Sequence, residues 1–144
     1  MKILFVCTGN ICRSPMAEII FQNLLRKKKR KGIIVESAGT DAVPGIPMTH
    51  LSRQALIECG EVVKNTPYTS TEFSGRMRDE FDHIVCMTQY HLIQIDPHRV
   101  CKNVYLMDTG EVDDPYGSDL ETYIKICKQL QSAAKALYDK ICKT

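Results

Sequence analysis

No segment of the 144-residue sequence approaches the ~20 consecutive apolar residues that a helix needs to cross a membrane, so no membrane span is expected. The first apolar run, Met1–Phe5, gives way to Cys7 and Thr8 and is too short for the core of a signal peptide. Glycine and proline are scarce, at 8 and 6 residues, which excludes collagen-like and low-complexity chains. No lysine stands between Lys2 and Lys27, so the first glycine-bearing loop is not the G-x-x-x-x-G-K-S/T loop of ATP-binding proteins. His50, His83, His91 and His98 lack paired ligand spacing, and Cys7 with Cys12 makes a poor zinc pair. Neither metal nor cofactor is therefore expected, and the histidines read as surface or packing residues.

What is present is an ordinary globular composition, 44% hydrophobic and 25% charged. A chain this long buries close to ~70% of its unfolded surface and needs no staples. Its seven cysteines, an odd number, then read as free thiols in a reducing, cytoplasmic setting. Six of the 19 basic residues form one block, Arg26–Lys31, without which the chain is net acidic. A nucleic-acid binder spreads its positive charge over a face and interleaves aromatics, so no nucleic-acid partner is expected. The block reads as a solvated helix end whose cations suit the helix C-terminus, with an acidic partner or anionic surface as the alternative.

Hydrophobic patterning alternates between two periods. Lys2–Val6, Ile33–Glu36, Asp82–Met87 and Asn103–Met107 read as buried strands. Ser14 and Pro15 read as the capped start of a helix that Gly32 stops, His50–Cys59 as a helix closed by Gly60, and Gln89–Ile95 as a short helix. From Asp119 onward, apolar residues trace one face of a long closing helix. Alternating strands and helices predict an α/β fold, a doubly wound four-stranded parallel sheet with helices on both faces, in a single domain over 1–144. In such sheets ligands lie at the carboxyl ends of the strands, which singles out the loops Cys7–Ser14 and Asp108–Ser118.

The first loop reads Cys7-Thr8-Gly9-Asn10-Ile11-Cys12-Arg13-Ser14. Wrapped around a point, it would aim successive backbone N–H groups inward, and the helix N-terminus adds its partial positive charge there. Gly9 and Asn10 tolerate the left-handed dihedrals of such a nest, and Arg13 supplies a planar fork for two phosphate oxygens. The same groups favour Cys7 as thiolate, with Ser14 donating to the sulfur, which makes it a nucleophile for phosphoryl transfer. Thr8, Gly9, Asn10, Ile11, Cys12 and Arg13 are the candidate phosphate-binding residues. A leaving oxygen needs a proton, and Asp114, stiffened by Pro115 and approaching from the neighbouring loop, is the candidate general acid. Tyr116 is placed at the pocket mouth.

With these residues stated, the sequence resembles the low-molecular-weight protein tyrosine phosphatases over essentially its full length. The likeness is carried by VCTGNICRSPMAE from Val6 to Glu18, by Ser37-Ala38-Gly39-Thr40 and by Asp114-Pro115-Tyr116. It implies a four-stranded parallel sheet, no metal, and hydrolysis of protein phosphotyrosine through a phosphocysteine. Cys7 would be the nucleophile, Arg13 the phosphate clamp and Asp114 the acid. It further implies that Asn10 and Ser37 hold the loop in shape, that Ser14 stabilises the thiolate, and that Cys12 can form a reversible protective disulfide with Cys7.

The chain departs from the family in several places. Asp113 sets a second carboxylate beside Asp114, where Val-Pro-Asp-Pro is frequent. Gly117 replaces a second aromatic, Thr8 and Val43 stand at wall positions that are elsewhere larger, and Asn65 falls where some members have a loop-supporting histidine. Ring recognition would then rest on Ile11 and Tyr116. Cys86-Met87-Thr88-Gln89 resembles the protein-arginine phosphatase branch, whose members carry threonine at the Ile11 position. Arsenate reductase and a non-catalytic phosphate-binding module complete the alternatives.

Overall fold

The computed structural model describes residues 1–143. Four parallel strands, β1 (Lys2–Cys7), β2 (Ile34–Gly39), β3 (His83–Cys86) and β4 (Val104–Leu106), lie in the order β2-β1-β3-β4. The central strand β1 has no polar face, because both of its faces are covered. Ile3, Phe5 and Cys7 pack into a core with α1 (Arg13–Lys27), α2 (His50–Glu58) and α5 (Leu120–Ile141). Leu4 and Val6 meet a second core with α3 (Met77–Glu80) and α4 (Gln89–Ile95). The continuous apolar run that marked this strand in the sequence is the signature of a parallel strand buried on both sides.

Several boundaries differ from the sequence reading, each for a local reason. β2 continues past Glu36 to Gly39, so that Cys7 pairs with Gly39 at the end of the ladder. Ser37, Ala38 and Gly39 are small and carry no hydrophobic periodicity, yet the packing behind the first loop buries them. α1 stops at Lys27 rather than near Gly32, and Lys29 turns left-handed at φ 52. Only Arg26 and Lys27 of the basic block sit in the last helical turn, and the remainder lies in the loop beyond. Ser14 does not cap α1: the helix begins at Arg13 with Cys12 as N-cap and no side-chain capping bond. The one-turn helix α3 is too short to leave a periodic trace.

Because the chain leaves β1 for β2 on one side and enters β3 on the other, the sheet reverses its winding at β1. The crevice at the carboxyl ends of β1 and β3 is where the site forms.

Candidate active site

Cys7 ends β1, the loop Thr8–Cys12 follows, and Arg13 opens α1. None of the backbone N–H groups from Thr8 to Arg13 donates to a protein acceptor among the described residues. These amides, ending at the first residue of an α1 that carries no side-chain cap, are free for a ligand. Asn10 takes the left-handed conformation at φ 56, as its residue type allows. Gly9 does not share it, contrary to expectation. The glycine that matters is Gly39, where a Cβ would stand 2.4 Å from the Thr8 carbonyl oxygen and 3.0 Å from the Asn10 nitrogen. The loop therefore rests directly on the end of β2.

Side chains hold the loop from behind. Asn10 Nδ2 donates to Ser14 Oγ at 2.7 Å and to Ser37 Oγ at 2.9 Å, and Asn10 Oδ1 accepts from Thr71 N–H at 2.8 Å. With Ser14 Oγ accepting from Asn10, its own hydrogen is available to Cys7 Sγ, 2.9 Å away. Ser37 Oγ donates to Glu18 Oε1 at 2.6 Å. Burial drives the Glu18 carboxyl up to about 6 against the lowering effect of that bond. Asn65 does not reach the loop, because its Oδ1 accepts from Arg53. Tyr68 does the supporting instead, donating to the Asn10 carbonyl at 3.1 Å and meeting Ser37 Oγ at 2.9 Å. Tyr68 lies outside every helix and strand, so no periodicity drew attention to it.

The second loop arrives by a longer route than expected. It leaves β4, and β3 stands between β4 and β1, so it crosses the end of β3: Val112 N–H donates to the Met87 carbonyl at 3.0 Å. Gln89 N–H donates to the Glu111 carboxylate, and Gln129 Nε2 donates to the Gly110 carbonyl at 3.0 Å. There Arg13 Nη1 reaches the Val112 carbonyl at 2.9 Å. Asp114 Oδ2 lies 3.6 Å from Arg13 Nη2, and Asp114 Oδ1 accepts from Tyr116 N–H at 3.1 Å. Arg13 is buried while the Asp114 side chain is 53% exposed, so the carboxylate stands at the mouth and the guanidinium in the wall.

Cys7, Thr8, Gly9, Ile11, Cys12, Arg13, Asp114 and Tyr116 enclose a cavity of about 190 Å³. Arg13 Nε is buried without a partner. Leaving such a donor unmade is costly, and Arg13 is one of the residues that line the cavity. Two further side chains bear on the site. Cys12 Sγ contacts Tyr123 Oη at 3.4 Å and is buried, with its thiol free, as is that of Cys7. His91, read from the sequence as surface or packing, is buried with its Nε2 2.8 Å from Thr8 Oγ1. No group of His, Cys, Asp and Glu that would hold a metal ion occurs among the described residues.

A strand, a loop of unspent amides with a thiol at its root, a helix start and a buried arginine define the class of cysteine-dependent phosphate-binding folds. Within that class, the low molecular weight phosphotyrosine protein phosphatase family matches residues 2–144, and the chain belongs to it. The low molecular weight protein-tyrosine-phosphatase PtpB of Staphylococcus aureus is 32% identical, over 99% of this chain and 100% of that one. A protein-arginine-phosphatase of Geobacillus stearothermophilus is 30% identical, over 97% of this chain and 95% of its own length. The crystal structure of a low molecular weight phosphotyrosine phosphatase from Vibrio cholerae O395 superposes with TM-score 0.88 at 31% identity, covering 99% of this chain and 97% of that one.

Proposed function

We propose that the chain, as one catalytic domain over residues 1–144, hydrolyses phosphotyrosine in protein substrates in the cytoplasm. The observation that carries this reading is the set of unspent donors, the loop amides and Arg13 Nε, gathered round one cavity beside Cys7 Sγ. In the reaction the Cys7 thiolate attacks phosphorus, the bond to the tyrosyl oxygen breaks, and Asp114 gives that oxygen its proton. Water then attacks the phosphocysteine, Asp114 takes its proton, and phosphate and the Cys7 thiolate are released. The amides from Thr8 to Arg13 and the Arg13 fork hold the equatorial oxygens in both steps. Ser37, through Asn10, and Ser14 keep the loop and sulfur in place, and Tyr116 with Ile11 receives the ring.

An arginine phosphatase would need a polar partner for the guanidinium N–H groups where Ile11 offers an apolar one. Arsenate reduction would need accessible auxiliary thiols, and Cys86 is buried with its thiol pushed up to about 12 by that burial. Measuring kcat/KM on matched phosphotyrosine, phosphoserine and phosphoarginine peptides without added metal tests the reading. Phosphotyrosine should be fastest, and faster phosphoarginine turnover would overturn the substrate assignment. In Cys7→Ser, turnover should vanish while phosphate still binds. Activity within tenfold of wild type would remove Cys7 from the chemistry.

A further inference from the structure

Thr8 is the first residue of the loop, and its hydroxyl lies between two donors. His91 Nδ1 accepts from Thr88 N–H at 3.1 Å and lies 3.0 Å from Thr88 Oγ1. That hydroxyl accepts from the His91 backbone N–H in a capping box and so has its own hydrogen to give. In the neutral ring the hydrogen is therefore assigned to Nε2. Burial and the nearby Arg13 guanidinium keep that ring neutral, lowering its value to about 4. Nε2–H therefore donates to Thr8 Oγ1 at 2.8 Å, and Arg13 Nη2 approaches the same oxygen at 3.5 Å. Both acceptor positions of the hydroxyl are thus turned toward donors. Its own hydrogen has no protein acceptor among the described residues, and the side chain borders the cavity shared with Cys7 and Arg13.

We propose that His91 is a positioning residue that fixes the polarity of the Thr8 hydroxyl, so that Thr8 Oγ1–H donates to a phosphoryl oxygen in the cavity. The inference rests on the phosphatase reading above and adds to it a side-chain donor that neither the loop amides nor Arg13 supplies. A threonine free to rotate would present a donor or an acceptor equally well. His91, held by the first turn of α4, removes that choice before the anion arrives, so the donor is preorganised.

The test is competitive inhibition of para-nitrophenyl phosphate hydrolysis by inorganic phosphate. Thr8→Val should weaken phosphate about tenfold, the loss expected for one hydrogen bond to an anion. Thr8→Ser should restore it. His91→Asn, whose amide oxygen can still accept from Thr88 N–H but whose side chain is too short to reach Thr8, should weaken phosphate to a similar degree. His91→Gln, which places an N–H near the Nε2 position, should recover most of it. The Thr8→Val, His91→Asn double variant should bind phosphate no worse than Thr8→Val alone, because His91 acts through Thr8. A merely structural strap between loop and α4 would lower thermal stability and leave the phosphate constant unmoved.

Wild-type phosphate affinity in Thr8→Val, or additive losses in the double variant, would overturn the proposal. The unmodified protein gives an independent reading, since ¹⁵N NMR at neutral pH should show His91 as the Nε2–H tautomer. An Nδ1–H tautomer or an imidazolium overturns the proposal irrespective of how any variant folds. A wild-type chain that turns over no aryl phosphate sinks the phosphatase reading itself, which distinguishes the two failures.

Discussion

Arg13 and Val112 are joined by a hydrogen bond from Nη1 to the backbone carbonyl, 2.9 Å long and with both residues buried at 4% and 0% exposure. Arg13, proposed above as the phosphate clamp, thus also anchors the loop that carries Asp114, the proposed acid. On that reading clamp and acid are mechanically one unit.

Arg13→Lys should for this reason cost more than one oxyanion contact. A point charge loses the second prong to the phosphate and the tether to Val112 together. A fall in kcat/KM of at least ~10²–10³-fold on para-nitrophenyl phosphate is expected, the scale of removing one such donor. Steady-state kinetics of the purified variant check this, and wild-type values would withdraw the clamp.

Asp114→Asn should slow aryl phosphates with poor leaving groups far more than those with good ones, since only the former need a donated proton. Asp113→Asn should do much less, because no contact ties Asp113 to Arg13, whereas Asp114 lies 3.6 Å from it. A leaving-group series on both variants decides the matter, and equal slopes would mean that the two carboxylates act as a pair.

Two groups, the buried His91 and the half-buried Glu18, set opposite pH dependences of stability. His91, lowered from 6.5 to about 4, contributes stability that is present above pH 6.5 and is lost as pH falls through 4. Glu18, raised from 4.5 to about 6, contributes stability present below pH 4.5 and lost as pH rises through 6. Glu18→Gln should therefore gain ~1 kcal/mol over wild type at pH 8 and nothing at pH 4. Urea titrations at the two pH values measure the difference.

Gly39→Ala should damage catalysis out of proportion to its size. The added methyl would meet the Thr8 carbonyl at 2.4 Å and Ala42 Cβ at 2.8 Å, backbone and neighbour that cannot swing aside. Relief requires the loop to move away from β2 and the amide cradle to open. A drop in phosphate affinity exceeding tenfold, with the melting temperature down by several degrees, is expected from inhibition assays and calorimetry.

The first half of the site was legible because it is local. A continuous apolar run, a glycine and asparagine, and a Ser-Pro helix start lie within fifteen residues, and the Cys-x5-Arg spacing reports their geometry. Ser37 and Gly39 could be named only through family resemblance, since neither small residue leaves a periodic signal. Tyr68 and His91 were missed for a physical reason: their partners lie 58 and 83 residues away, and nothing in a local pattern encodes who stands behind a loop. The expected approach of the Asp114 loop from the neighbouring position does not hold, because β3 lies between β4 and β1, an order that no local pattern encodes.

The sheet order has a consequence for the chain as it is made. Arg13's partner Val112 is made 99 residues after it, and β1 has no neighbour on one side until His83 has emerged. Over that interval the nascent chain carries Cys7 without the crevice that surrounds it in the fold. Such long-range closures are also the slow ones in folding. The proposed site thus closes only after Val112 has been added, and until His83 emerges the strand that ends at Cys7 can pair with β2 alone.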